Sequence, residues 1–76
     1  MNTRDKILIA LADGDMNQTK IANTVGCSRS LVCRLIKEMV KDGLVNKVNT
    51  MEDGREKICS LTEKGKMEVN LIEVEP

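Results

Sequence analysis

Apolar residues return at helical spacing over much of the chain, and then the period changes. Between Ser28 and Gly43, the positions Val32, Leu35, Ile36, Met39 and Val40 fall on one face of a helix. Ser28 is a good N-cap, because its hydroxyl can accept from a free N–H of the first turn. Gly43 ends the helix, since glycine enters the left-handed conformation cheaply. The opposite face opens with Ser28, Arg29 and Ser30 and continues with Cys33, Arg34, Lys37 and Lys41. Upstream, Asn2 or Thr3 can cap a first helix running to about Ala12, with Ile7, Leu8 and Leu11 inward and Ala10 beside them. Asp13-Gly14-Asp15 reads as a turn. A second helix, from about Asn17 to Val25, gathers Ile21, Ala22 and Val25 on one side.

After Gly43 the spacing shortens. Leu44 and Val45 continue the apolar run, and Asn46-Lys47-Val48-Asn49 alternates as a strand does. Thr50-Met51-Glu52-Asp53-Gly54 is polar and ends in Asp-Gly, a hairpin signal. Arg55 to Leu61 reads as the returning strand, with Lys57, Cys59 and Leu61 on one side and Glu56, Ile58 and Ser60 on the other. A two-stranded hairpin is barely stable alone, so this one must lean on the helices. From Thr62 a helix can start and run to about Glu73, with Met67 and Leu71 on a shared face. The β-branched content of the same stretch leaves a strand as the alternative.

Helices two and three have the spacing of a helix-turn-helix. Two helices meet at a steep angle when a small residue sits at the crossing and the turn bends sharply. Ala22 suits the crossing and Gly26 the turn, while Val32 and Leu35 anchor the later helix on the earlier one. The expected fold class is therefore mainly α with a small β-hairpin: a three-helix winged helix-turn-helix followed by a C-terminal helix or strand. The whole of 1–76 reads as a single domain.

Composition adjusts this picture in two ways. The 76 residues include no Phe, Trp or Tyr, so Leu, Ile, Val, Met and Ala must fill a small core. Self-association would relieve that weakness, and 62–76 is the expected self-association segment. The formal net charge is 0, but its distribution is uneven. From Lys20 to Lys47, six basic residues stand against two acidic ones, giving +4; the last ten residues carry three acids and no base, giving −3. A polyanion responds to the local field within a screening length of roughly 8–10 Å, not to the net charge.

Other chemistries find little support. There is no histidine, which removes the commonest general base and metal ligand. Cys27, Cys33 and Cys59 make no C-x-x-C pair, so no zinc site and no disulfide framework is expected. They read as reduced thiols of a cytoplasmic protein. No stretch approaches the ~20 apolar residues of a membrane span. No glycine-rich phosphate loop or nucleophile–base pair is visible, so neither an enzyme nor a cofactor is expected. Single-strand binding by base stacking is disfavoured without aromatic side chains.

The run Ser28-Arg-Ser-Leu-Val-Cys-Arg-Leu-Ile-Lys37, then Lys41-Asp-Gly-Leu-Val45, Asp53-Gly-Arg55 and Ser60-Leu-Thr-Glu-Lys-Gly65, resembles the DNA-binding core of the multiple-antibiotic-resistance regulator (MarR) family. The likeness covers roughly Ile7 to Gly65. It implies that Ser28, Arg29, Ser30 and Arg34 sit in or beside the major groove. It also implies that Arg55 at the wing tip reaches the minor groove, oriented by Asp53. Members of that family are usually about twice as long and dimerise through long terminal helices. A dimer here must be built differently, and a small-molecule effector is not expected.

The functional expectation is a sequence-specific, double-stranded DNA-binding transcriptional regulator, acting as a homodimer. Recognition helix 28–42 would enter the major groove, and wing 46–61 would lie on the minor groove. Arg29 and Arg34 can reach guanine edges or phosphates, and Lys37 a phosphate. Leu31 can touch a thymine methyl or pack in the core. Gln18 and Thr19 can donate to a phosphate. The rival reading is a winged-helix protein-interaction module in a replication or transcription assembly, which the low net charge favours.

Overall fold

Each helix starts where a side-chain oxygen can satisfy a free backbone N–H. The computed structural model describes residues 2–49 and 57–72. Helix α1 (Thr3–Asp13) begins after Asn2, whose side chain accepts from the Asp5 N–H at 2.8 Å. Helix α2 (Gln18–Val25) begins after Asn17, whose carbonyl oxygen accepts from the Lys20 N–H at 2.8 Å. Helix α3 (Arg29–Lys41) begins after Ser28, whose hydroxyl accepts from the Leu31 N–H at 3.2 Å. Such caps contribute about 1 kcal/mol each.

The helix ends follow equally local rules. Gly26, at φ 73°, closes α2 and turns the chain into α3. Past α3, Gly43 at φ 80° donates to the Val40 carbonyl, and Leu44 donates to the Met39 carbonyl at 2.8 Å. That pair of bonds is the Schellman arrangement, which a glycine at this position permits. It directs the chain into strand β2 (Val45–Asn49).

Strand β2 pairs antiparallel with β3 (Lys57–Leu61), in a register running from Val45 opposite Leu61 to Asn49 opposite Lys57. This is the expected hairpin. Its turn, including Asp53 and Arg55, lies outside the described residues. One element was not expected. Met16 and Asn17 form a short strand, β1, antiparallel to β3, with Met16 opposite Cys59 and Asn17 opposite Ile58. The sheet therefore has three strands in the order β1-β3-β2. A two-residue strand is too short to leave any periodicity in a sequence.

The core lies where α1, α2, α3 and the sheet meet. Ile7, Leu8 and Leu11 of α1 pack with Ile21 and Ala22 of α2, Val32, Ile36 and Met39 of α3, and Leu44, Val45 and Cys59. The α3 stripe is narrower than its sequence suggests: Leu35 is half-buried and Val40 is 39% exposed.

The C-terminal segment is a helix, α4 (Glu63–Ile72). Val69 and Ile72 pack on the core, whereas Met67 and Leu71 do share a face and point outward, at 66% and 78% exposure. Thr62 ties the start of α4 to the end of α3. Its hydroxyl donates to the Gly43 carbonyl and accepts from the Gly65 N–H at 3.0 Å, and its N–H donates to the Leu44 carbonyl at 3.0 Å. Gly65 lies so close to that carbonyl that a Cβ built on it would overlap the Leu44 oxygen. No described helix is long and apolar enough to cross a membrane.

Candidate nucleic-acid interface

The outer face of α3 follows from the helical period. With Val32, Ile36 and Met39 buried, Arg29, Ser30, Arg34 and Lys37 are exposed and Cys33 is half-buried. Arg29, Cys33 and Lys37 then form one row at four-residue spacing, and Ser30 and Arg34 form the adjacent row. The first residue of α2 contributes the other wall. By pairing Asn17 with Ile58, strand β1 fixes where α2 begins, so that Gln18 stands beside α3. The result is an open groove lined by Gln18, Arg29, Ser30, Cys33, Arg34 and Lys37.

Five sequence-predicted residues thus come together: Gln18, Arg29, Ser30, Arg34 and Lys37. Three others stand outside the lining. Thr19 is exposed on the first turn of α2. Ser28 is exposed and engaged in the α3 cap, which leaves its O–H free to donate outward. Leu31 is half-buried at the edge of the apolar stripe. Asp53 and Arg55 lie outside the described residues. Cys33 belongs to the groove although it carries none of the charge that draws notice in a sequence. Its signal was its place midway between Arg29 and Lys37.

The groove gathers three cations. Among the described residues, Arg29, Arg34 and Lys37 form no ion pair with a carboxylate, whereas Arg4 pairs with Asp42 at 3.6 Å and Lys66 with Glu63 at 3.7 Å. Helices α1 and α4 carry an acid in their first turn, Asp5 and Glu63, as the helix dipole favours. Helices α2 and α3 carry none and place Lys20 and Arg29 there instead. A cation at the positive end of a helix costs some stability. The same end, with its free N–H groups, is suited to an anion from outside.

The cysteines divide by burial. Cys59 is fully buried, and burial pushes its thiol pKa up, with Lys47 opposing and Cys33 acting in the same direction as burial. It is a core residue. Cys27 is half-buried, 3.7 Å from the Thr3 hydroxyl. Among the described residues, no group of three or more Cys, Asp or Glu could hold a metal ion.

Several solved structures share this architecture. The adhesin competence repressor AdcR of Streptococcus pyogenes is 27% identical, with 93% of this chain and 53% of that one covered and a TM-score of 0.85. A MarR family transcriptional regulator from Silicibacter pomeroyi is 24% identical, covering 93% of this chain and 48% of that one, with a TM-score of 0.83. MepR of S. aureus, solved as a DNA complex, is 21% identical, covering 95% of this chain and 60% of that one, with a TM-score of 0.84. The last two likenesses establish the fold alone. The chain spans about half the length of these proteins. No curated protein matches it by sequence. The neighbours are winged-helix transcriptional regulators of the MarR type, as the motifs from Ser28 to Gly65 implied. The model of the N-terminal domain of the methanogenesis regulatory protein FilR1 matches residues 2–74, and the chain belongs to that family.

Proposed function

We propose that the protein is a sequence-specific, double-stranded DNA-binding transcriptional regulator. The observation that carries this reading is the groove of Gln18, Arg29, Ser30, Arg34 and Lys37, whose cations have no described carboxylate partner. Helix 28–42 enters the major groove, where Arg29 and Arg34 face guanine edges or phosphates. Lys37 and the hydroxyls of Ser28 and Ser30 meet the backbone, and Leu31 meets a thymine methyl. Gln18 and Thr19 supply donors from the start of α2. Wing 46–61 lies along the minor groove, with Arg55 inserted and Asp53 holding its guanidinium. DNA bound to MepR and the repressor role of AdcR agree with this reading.

The protein acts as a homodimer. Met67 and Leu71 form an exposed apolar row on α4 that a second copy would cover. A two-fold dimer would set its recognition helices about 34 Å apart, one turn of duplex. The function is binding, with no catalytic step. The same exposed row is what favours the rival reading, a protein-interaction module.

Affinity for generic duplex DNA as a function of salt tests both readings. Neutralising about five to eight phosphates predicts a slope of log K against log salt of roughly −4 to −7. A slope near zero, or no binding at low salt, would replace the DNA reading with the protein-interaction one. Sedimentation of the chain at micromolar concentration should give a dimer that Leu71→Glu dissociates; a monomeric wild type would refute the homodimer.

A further inference from the structure

The groove beside α3 is not uniformly cationic. Three of its lining residues, Gln18, Ser30 and Cys33, are not basic, and two of these, Gln18 and Cys33, are half-buried. Cys33 is half-buried, whereas Arg29, Ser30, Arg34 and Lys37 are exposed, so the thiol is set back behind longer side chains. It stands in one row between Arg29 and Lys37. Gln18 approaches from the other wall and is also half-buried.

A phosphate contact would be served better by a charge or a freely exposed donor. A half-buried amide and a half-buried thiol lining one groove suit the edge of a base pair instead. A glutamine amide matches adenine in the major groove, donating to N7 and accepting from the N6 amino group. A thiol behaves as a small apolar group and suits the methyl of thymine. Adenine N6 and N7 and the thymine methyl lie on the major-groove edge of the same pair.

We infer that Gln18 and Cys33 together read one A·T pair in each half-site, Gln18 taking the adenine and Cys33 the thymine methyl. The assignment rests on the duplex-binding reading above and adds to it the base pair recognised. It also makes α2 a reading element through its first residue, which β1 holds in place.

The test begins with a site selected by the wild-type chain from a random duplex library. Each adenine in that site is then replaced singly by 7-deazaadenine, and each thymine by deoxyuridine, and affinity is measured by anisotropy. One A·T pair should respond to both changes, with a loss of roughly tenfold for the missing N7 and roughly threefold for the missing methyl. Gln18→Ala should abolish only the first penalty, and Cys33→Ser should shrink only the second. Because the changes are made in the DNA, the wild-type result stands whether or not a variant folds. A selected site whose two penalties fall on different pairs, or persist unchanged in folded variants, overturns this assignment and leaves the DNA reading intact. A library that yields no preferred sequence overturns sequence-specific binding and this assignment with it.

Discussion

The outer face of α3 and the junction between α3 and α4 treat polar groups in opposite ways. At the junction every backbone group named has a partner: Thr62 bonds to Gly43 and Gly65 and donates to Leu44, Lys64 donates to the Asp42 carbonyl at 3.0 Å, and Asp42 pairs with Arg4. On the outer face of α3, three cations stand without a described carboxylate, and Arg29 sits against the helix dipole. The first region is arranged for stability. The second departs from the local rule, and such departures concentrate where a ligand is expected to complete the arrangement. Changes at the junction should therefore damage folding, and changes on the α3 face should damage binding while sparing or even raising stability.

The largest effect is expected at Gly65. A methyl group there overlaps a backbone oxygen and lies 3.1 Å from Leu61 Cδ2, so the helix or β2 must shift. Gly65→Ala should cost about 3 kcal/mol or more, enough to unfold much of so small a domain. A urea midpoint equal to that of wild type would show that the junction is looser than described. Thr62→Ala removes the cap and leaves the Gly43 carbonyl without its hydroxyl donor. It should cost about 1–2 kcal/mol, and Thr62→Ser should recover most of the loss.

Arg29→Glu sharpens the contrast from the other side. An acid in the first turn of α3 should raise stability by about 0.3–1 kcal/mol. The same change should lower duplex affinity by about 1–3 kcal/mol, roughly five- to 150-fold. Parallel urea unfolding and anisotropy measure both, and a loss of stability would contradict the account of the α3 face. The smallest effect concerns Cys59. Burial lifts its pKa above the ordinary 9.0, so the folded form keeps its proton to higher pH than the unfolded chain does. Its contribution is whole below about pH 9 and is lost as pH rises from there through the folded value. Stability of the wild type should thus fall more steeply above about pH 9 than that of Cys59→Ala; parallel slopes would dismiss the effect.

The helices were legible because their punctuation is local. Asn2, Ser28, Gly26 and Gly43 act within a turn of where they stand, and the apolar stripes of α1 and α3 identify the core. What the sequence hides is long-range. Asn17 reads as a helical residue but is a cap, because its pairing with Ile58 moves the start of α2 by one residue. Val40 fits the helical period yet remains 39% exposed among the described residues. Gly65 is recognisable by resemblance alone; its physical reason is the Leu44 carbonyl, far away in the chain. For the candidate site, the α3 residues followed from the period. Gln18 was expected from its place at the start of α2, but the short strand β1 just before it was not.

The position of β3 has a mechanical consequence. It is the middle strand, hydrogen-bonded on one side to β1, which leads into α2, and on the other to β2, half of the wing. One strand thus joins the two parts proposed to touch the duplex and couples their positions. The protein resembles a gauge with fixed jaws rather than a hand that closes. A rigid gauge transfers the work of adjustment to the object measured. Duplexes whose groove widths already match the jaws would bind with little distortion, and stiffer or wider ones would be disfavoured even at base pairs that no side chain reaches.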